Sequence, residues 1–199
     1  MIAVKDNFLR FTPEEYFTWE EQQLERHELI DGQVYAMSGG TINHSEIASK
    51  FNRLLGNHLD ASGCKTLNSD ARINILETTD YSYPDATVTC DDRDKTNTQY
   101  IAYPCLIIEV LSDSTEAYDR GEKFYRYRRN PVLKEYVLVS AKSIAIDLYR
   151  KSDLGEWVIA NYRAGDIVEL RSINLSFPIE QVYRGIVFQQ LSAVIKQSE

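Results

Sequence analysis

Hydrophobic residues recur at a helical spacing over residues 41–61. Apolar residues occupy positions 47, 51, 54, 55 and 59, which lie on one face when 3.6 residues make a turn. Ser62 and Gly63 follow at the point where the periodicity stops, as is usual at a helix C-terminus. The pattern predicts one long amphipathic helix. His44 continues its apolar face at the N-terminal end, and His58 lies further along the same face.

Two shorter helices are predicted on either side of this one. Residues 11–24 carry Thr12 as a candidate N-cap, Pro13 at the first helical position and Glu15 where a capping box requires it. Residues 117–129 form the other, and Asn130 and Pro131 end it. Before the long helix, Asp31-Gly32 separates two short apolar runs and predicts a β-hairpin.

Short apolar runs rich in β-branched residues account for most of the remaining chain. We expect strands at residues 65–75, 84–90, 105–111, 135–140, 143–151, 156–163, 167–170 and 176–177. The order of elements indicates an α/β or α+β protein with a sheet flanked by helices and a β-rich C-terminal half. The 199 residues fit one domain, 1–199, with its core at about 28–140 and a β-rich part at 141–199.

Composition and charge narrow the class of protein. With 43% hydrophobic residues the chain can bury a substantial core, and it has no apolar run long enough for a membrane span or a signal peptide. We therefore expect a cytoplasmic protein that does not enter membranes. The net charge of −8 argues against a broad nucleic-acid surface, although residues 123–134 carry five basic side chains and no acidic one. The spacing of Cys64, Cys90 and Cys105 predicts buried free thiols and neither a disulfide framework nor a zinc site.

Two carboxylates stand in unusual surroundings. Glu109 interrupts the apolar run LIIEVL, and on a strand it shares a face with Ile107 and Leu111. Asp85 follows Pro84 at the start of the preceding strand. If the two strands pair antiparallel, both carboxylates lie at the same end of the sheet, where they repel unless a cation joins them. Oxygen ligands of this kind suit Mg²⁺ or Mn²⁺. An ion pair with a nearby Lys or Arg is the structural alternative for Glu109.

Pro84-Asp85 followed by Glu109 resembles the PD-(D/E)XK signature of the restriction-endonuclease-like nucleases. More narrowly, the chain resembles a large bacterial family of unknown function whose members are commonly described as endonucleases. The segments that carry this resemblance are HELIDG, NHSEI, YPDATV, IIEVLSDST, DRGEKFYRY and EYVLV. The resemblance implies a restriction-endonuclease-like core with a mixed central sheet. The lysine of the signature is missing, because Leu111 occupies its position. The narrower family implies that Lys123 replaces it from the following helix, where Asp119 lies four residues earlier.

The resemblance also implies roles for single residues. Asp85, Glu109 and the backbone carbonyl of Val110 would hold Mg²⁺ or Mn²⁺, and Lys123 would activate water and stabilise negative charge. Glu28 is a candidate third carboxylate. His44 is either a further site residue or a hydrogen-bonded core histidine. The candidate DNA-phosphate contacts are Arg126, Arg128 and Arg129, and Asp70 and Arg72 are weaker candidates for the site.

The sequence thus predicts a metal-dependent endonuclease acting on DNA or another nucleic acid. A nuclease-like protein without activity, acting as a binding or regulatory partner, is the alternative, and a hydrolase of small phosphoesters is a second one. The apolar C-terminal part, with Trp157 and Tyr162 as exposed aromatic candidates, either supports a homodimer or packs on its own domain. The observation expected to support a site is convergence of four of the following six groups: Glu28, His44, Asp85, Glu109, Asp119 and Lys123.

Overall fold

The structure is a computed structural model that describes residues 2–3, 10–37, 39–75 and 79–188. Its helices are α1 (Pro13–Glu20), α2 (Ile42–Leu59), α3 (Glu116–Tyr118), α4 (Phe124–Tyr127) and α5 (Glu180–Tyr183), and a π-helical turn, Asp119–Lys123, joins α3 to α4. Two 3₁₀ turns cover Asp92–Asp94 and Arg171–Ile173. Within the described residues, no helix is both long and apolar enough to cross a membrane.

In the described part of the chain, thirteen strands form three sheets. The strands are β1 (Ile2–Ala3), β2 (His27–Ile30), β3 (Gln33–Ala36), β4 (Lys65–Asn68), β5 (Ile73–Asn74), β6 (Tyr81–Ser82), β7 (Ala86–Thr89), β8 (Leu106–Leu111), β9 (Glu135–Ser140), β10 (Ala145–Lys151), β11 (Trp157–Arg163), β12 (Ile167–Leu170) and β13 (Leu175–Pro178). Their orders are β11-β10-β9-β8-β7-β4, β1-β3-β2-β6-β5 and β12-β13.

The six-stranded sheet is mixed and carries the core of the fold. Only β8 and β9 pair in parallel among its described strands, and the helical segment from α3 to α4 makes the crossover between them. One face packs on α2 through the buried residues Ile47, Phe51 and Leu55. The other face packs on the crossover segment, where Tyr127 meets Tyr136. The predicted α+β class, with a mixed central sheet flanked by helices, is confirmed.

Local signals set several of these elements. Thr12 caps α1, and the capping box closes through Thr12 N to Glu15 Oε2 at 2.8 Å and Glu15 N to Thr12 Oγ1 at 3.3 Å. At the β2–β3 turn, Asp31 and Gly32 have φ of 50° and 77°, as a type I′ hairpin requires. Helix α1 ends at Glu20, earlier than the predicted residue 24, because the last turn tightens through Gln23 N to Glu20 O.

The predicted strand at 65–75 is two strands, β4 and β5, separated by a turn. The side-chain oxygen of Asn68 accepts from Asp70 N at 3.0 Å, and the Asn68 carbonyl accepts from Ala71 N. Asn and Asp favour such local bonds over a continuous strand ladder, so the break follows from turn chemistry that the apolar pattern does not show.

The expectation that all three cysteines are free is wrong for two of them. Cys64 and Cys90 form a disulfide, whereas Cys105 is free and buried. The pairing of Lys65 with Thr89 explains the bond, because the next step of the same antiparallel register sets Cys64 opposite Cys90. The two cysteines lie 26 residues apart in sequence, and only the β4–β7 pairing brings them together.

The β-rich C-terminal part packs on the same core as α2. Phe177 of β13 meets Phe51 with ring centroids 6.0 Å apart, and Val182 of α5 is buried in the same cluster. The expectation that Trp157 and Tyr162 are exposed is wrong, since both are partly buried against apolar neighbours. Packing of this part on its own core is therefore what the structure shows.

Candidate active site

The pairing of β7 with β8 brings the two predicted carboxylates together. Ala86 pairs with Ile108 in antiparallel register, and one further step sets Asp85 opposite Glu109. Residues directly opposite each other point to the same face of a sheet. Asp85 Oδ2 also accepts from the backbone N–H of Val110 at 2.7 Å, which fixes the carboxylate against β8. Both carboxylates line one cavity, as the antiparallel pairing predicted.

Lys123 enters this cavity from the crossover segment. Its Nζ lies 2.9 Å from Glu109 Oε1, 3.2 Å from Glu28 Oε1 and 3.8 Å from Asp119 Oδ1. Asp119 and Lys123 begin and end the π-helical turn, and both are buried. A π turn is wider than an α turn and occurs frequently at functional sites. Here it points Asp119 and Lys123 toward the strand ends.

Buried hydroxyl and amide groups hold the carboxylates in place. Tyr127 OH donates to Glu109 Oε1 at 3.0 Å, and Tyr83 N donates to Glu28 Oε1 at 3.3 Å. Tyr136 OH donates to the backbone carbonyl of Asp119 at 2.9 Å. The geometry of the site is therefore held by β2, β8, β9 and the crossover segment together.

His44 reaches the site from the first turn of α2. Thr41 caps this helix by accepting from His44 N at 3.2 Å, and His44 Nε2 lies 3.3 Å from Asp85 Oδ2. The net pKa of His44 is raised. Burial acts to lower it, but the hydrogen bond and charge of Asp85 and a bond to the Val110 backbone outweigh burial. Gly40 packs directly on the ring, and a Cβ there would lie 2.7 Å from His44 Cγ. His44 therefore lines the candidate site, whereas a ring nitrogen of His58 pairs with the Ile173 carbonyl at 2.8 Å.

Burial sets the electrostatics of the cavity. It raises the pKa of Glu109 well above its usual range although Lys123 opposes the rise, and it raises the pKa of Asp119 in the same way. Burial acts to lower the pKa of Lys123, but the charges of Glu109 and Glu28 outweigh it and the pKa is raised well above its usual range. Lys123 and Tyr127 both donate to Oε1 of Glu109. We therefore take Lys123 as an ammonium and Glu109 as a carboxylate at neutral pH.

All six groups line one cavity, and convergence of four of them was expected to support a site. A cavity of about 90 Å³ is lined by Glu28, His44, Asp85, Glu109, Asp119 and Lys123, together with Val110 and Tyr118. A groove of about 810 Å³ opens next to it and shares Met37, Gly39, Gly40, His44, Tyr83 and Asp85 with the cavity. Four carboxylates thus face one ammonium in a small, largely buried space.

The donor set fits a hard divalent cation that keeps part of its water shell. Within the described residues, no three His, Cys, Asp or Glu side chains form a ready-made metal cluster. Two carboxylates and a backbone carbonyl with waters are the kind of set that Mg²⁺ accepts, however, and such a set needs no third side chain. Four carboxylates and one ammonium line the cavity, so a bound divalent cation would reduce the repulsion between the carboxylates. The residues able to hold the ion are Asp85, Glu109 and Val110 through its carbonyl.

The predicted phosphate contacts do not line this cavity. The Arg126 guanidinium binds Asp80 at 2.7 Å, Asp31 at 2.8 Å and Glu122 at 3.1 Å, so it ties the β2–β3 turn to the crossover segment. Arg128 and Arg129 are exposed, and Arg128 lies over the ring of Tyr125. Of the three arginines, these two are the more exposed to solvent.

Asp70 and Arg72 line the adjacent groove and not the cavity. Asp70 forms an exposed ion pair with Arg26, and Arg72 Nε donates to Tyr83 OH at 2.5 Å. Leu111, which occupies the position of the missing lysine, is buried in the apolar cluster with Tyr127 and Tyr136. The alternation predicted along β8 is confirmed, since Ile107 and Leu111 face that cluster.

Several residues of the site were not predicted. Tyr127 lies four residues after Lys123 and shares its helix face, a spacing that gives a usable signal. Tyr118 precedes Asp119 directly, and Tyr83 precedes Pro84-Asp85, but neither position shows a recognisable pattern. Gly40 has no sequence signal because its role depends on the placement of the His44 ring.

The fold is that of a nuclease-like α+β protein. A crystal structure of "a putative nuclease belonging to DUF820" from Anabaena variabilis has a TM-score of 0.71 to this chain. The match covers 87% of this chain and 97% of that one, at 14% sequence identity, and at that identity it is a likeness of fold.

The family model described as "Uma2: Putative restriction endonuclease" matches residues 13–180, and the chain belongs to this family. An uncharacterized protein of Synechocystis sp., slr1290, is 55% identical over 181 residues, which covers 91% of this chain and 95% of that protein. A second uncharacterized protein of the same organism, sll1609, is 33% identical over 150 residues, which covers 74% of this chain and 85% of that protein. The predicted membership of the restriction-endonuclease-like superfamily is confirmed.

Proposed function

We propose that this chain is an endonuclease that hydrolyses phosphodiester bonds of DNA and depends on Mg²⁺ or Mn²⁺. The observation that carries the proposal is the charge imbalance of the cavity. Glu28, Asp85, Glu109 and Asp119 line it, and Lys123 is the one lysine or arginine among its lining residues. Buried carboxylates in such excess are costly unless a cation compensates them, and the family to which the chain belongs carries the description "Putative restriction endonuclease".

Each residue then has a defined part. Asp85 and Glu109 would hold the cation together with the Val110 carbonyl, and Val110 N–H keeps Asp85 oriented at 2.7 Å. A bound divalent cation supplies a lower pKa for an attacking water and charge compensation at the phosphodiester. Lys123 would stabilise the negative charge that develops on the phosphate oxygens. Glu28, bound to Lys123 and Tyr83 N, would orient the water or take part in holding a second cation.

DNA would approach through the groove beside the cavity. The candidate contacts to backbone phosphates are Arg128 and Arg129, because Arg126 is engaged by three carboxylates. With a net charge of −8 and two arginines proposed to contact phosphates, the chain would bind DNA weakly. The homodimer and the cytoplasmic location inferred from the sequence stay predictions.

A non-catalytic binding or regulatory protein with this fold is the second candidate function. Two observations favour it, the net charge of −8 and the ion pairs that Lys123 makes with Glu109 and Glu28. An ammonium held by two carboxylates must change partner before it can serve a phosphate. The two functions differ in one property, which is cation-dependent cleavage.

Nicking of supercoiled plasmid with Mg²⁺ or Mn²⁺ tests the proposal. We expect nicking by the wild-type chain, none in EDTA, and a loss of at least about 100-fold in Asp85→Asn, since it removes a proposed metal ligand. Asp92→Asn is the matched control, because the Asp92 side chain is 86% exposed and lines neither the cavity nor the groove. Absence of cation-dependent nicking, or nicking that survives Asp85→Asn, would overturn the proposal. Cleavage of a small phosphodiester but not of DNA would indicate a small-phosphoester hydrolase instead.

A further inference from the structure

Tyr118 is the one tyrosine of the cavity whose hydroxyl has no partner within the described residues. The hydroxyl oxygen is buried and makes no hydrogen bond, and the side chain lines the cavity with Glu28, Asp119 and Lys123. Burying a hydroxyl without a partner is unfavourable, and native structures do so rarely. The exception calls for a physical explanation.

The other tyrosines around the site show what a purely structural hydroxyl does here. Tyr127 OH donates to Glu109 at 3.0 Å and Tyr136 OH donates to the Asp119 carbonyl at 2.9 Å. Tyr83 OH accepts from Arg72 at 2.5 Å and lies 3.3 Å from Glu20 Oε1. Each of these hydroxyls has a protein partner. A phenylalanine would occupy the place of Tyr118 without an unpaired polar atom, so protein packing alone does not account for its hydroxyl.

We propose that the Tyr118 hydroxyl is a substrate-contacting group that donates a hydrogen bond to a phosphate oxygen of the bound phosphodiester. This rests on the proposed function and names a further residue of the same site. The cavity is rich in carboxylates, which repel a phosphate, so a neutral donor complements Lys123 without forming another ion pair. Tyr118 immediately precedes the π-helical turn that carries Asp119 and Lys123, which couples its position to theirs.

The protonation state of Tyr118 supports this role. Burial raises the pKa of its hydroxyl, and the charge of Glu28 raises it further although Lys123 and Arg126 oppose. The group is therefore a proton-bearing donor throughout the neutral range. A phenol in this state donates to an anion and does not serve as a general base.

The test compares Tyr118→Phe with the wild-type chain in kinetics, ligand binding and thermal unfolding. Tyr125→Phe is the matched control, because Tyr125 lies on α4 with its side chain 57% exposed. We expect Tyr118→Phe to lower kcat for plasmid nicking by about 10- to 100-fold, the effect of one hydrogen bond to a charged group. We expect Tyr125→Phe to nick DNA at the wild-type rate. The Tm of Tyr118→Phe should equal or exceed that of the wild type, since the variant loses only an unpaired hydroxyl.

A binding measurement separates this inference from the proposed function. Thymidine 3′,5′-bisphosphate, titrated calorimetrically in the presence of Ca²⁺, requires no turnover, and Tyr118→Phe should bind it at least about tenfold more weakly than the wild type. If the wild type does not nick DNA, the proposed function fails and this titration still decides the role of Tyr118. Wild-type kcat and affinity in Tyr118→Phe would overturn the inference. A loss of both accompanied by a lower Tm would also overturn it, because it would show a structural role.

Discussion

Replacing Lys123 by Met should destabilise the metal-free chain strongly. The ammonium lies within 3.8 Å of carboxylates from Glu109, Glu28 and Asp119, and its side chain is 9% exposed. Methionine has a similar length but leaves these buried carboxylates without their common partner. Removing one member of a buried ion pair costs about 3–5 kcal/mol. At about 2–4 °C per kcal/mol for a chain of this size, the Tm should fall by about 6–20 °C.

Thermal unfolding followed by circular dichroism in EDTA at pH 7 measures this effect. Lys142→Met is the matched control, because Lys142 is 64% exposed and pairs only with Asp113 among the described residues. Its effect on stability should stay within about 0.5 kcal/mol. The double variant Lys123→Met/Glu109→Gln should recover part of the loss, since one orphaned charge is removed. A Tm of Lys123→Met within about 2 °C of the wild type, or a double variant less stable than the single one, would refute the electrostatic argument.

Three further predictions concern single features of the site and fold. Burial raises the pKa of Glu109, although its carboxylate pairs with the Lys123 ammonium at pH 7. The metal-free chain should therefore lose stability as pH rises from about 4.3 toward 7, and Glu109→Gln should flatten this slope in urea unfolding over that range; equal slopes would contradict it. Gly40→Ala places a Cβ 2.7 Å from His44 Cγ and should lower the nicking rate, whereas Gly56→Ala, with nothing within 4 Å, should not; equal rates in the two would refute the contact. Cys64→Ser opens a disulfide that spans 26 residues and should lower the unfolding free energy by about 3 kcal/mol in denaturant titrations, and an unchanged midpoint would count against it.

The parts of the fold that the sequence predicted are those set by local chemistry. The Thr12–Glu15 capping box and the Asp31-Gly32 hairpin each depend on residues at most three positions apart, and both are confirmed. The site could be predicted from the sequence because a carboxylate within an apolar strand is costly to bury and therefore points to a function. One antiparallel register was then enough to bring Asp85 to Glu109.

The features that escaped prediction depend on contacts between distant parts of the chain. The Cys64–Cys90 bond depends on the β4–β7 register, and nothing in the cysteine spacing reveals it. Arg126 was expected to contact phosphate, but it binds Asp31, 95 positions away, and this contact depends on how the hairpin packs on the crossover segment. The unpaired hydroxyl of Tyr118 becomes visible only when every neighbour is placed.

Binding of Mn²⁺ to the wild-type chain and to Asp85→Asn, measured by isothermal titration calorimetry, tests the central claim most directly. The claim is that the excess of carboxylates around Lys123 forms a site for a divalent cation. It predicts saturable binding of Mn²⁺ to the wild type and an affinity at least about tenfold lower in Asp85→Asn, with the affinity of Asp92→Asn unchanged, since Asp92 lines neither the cavity nor the groove. No binding to the wild type, or equal affinities in the wild type and Asp85→Asn, would contradict it.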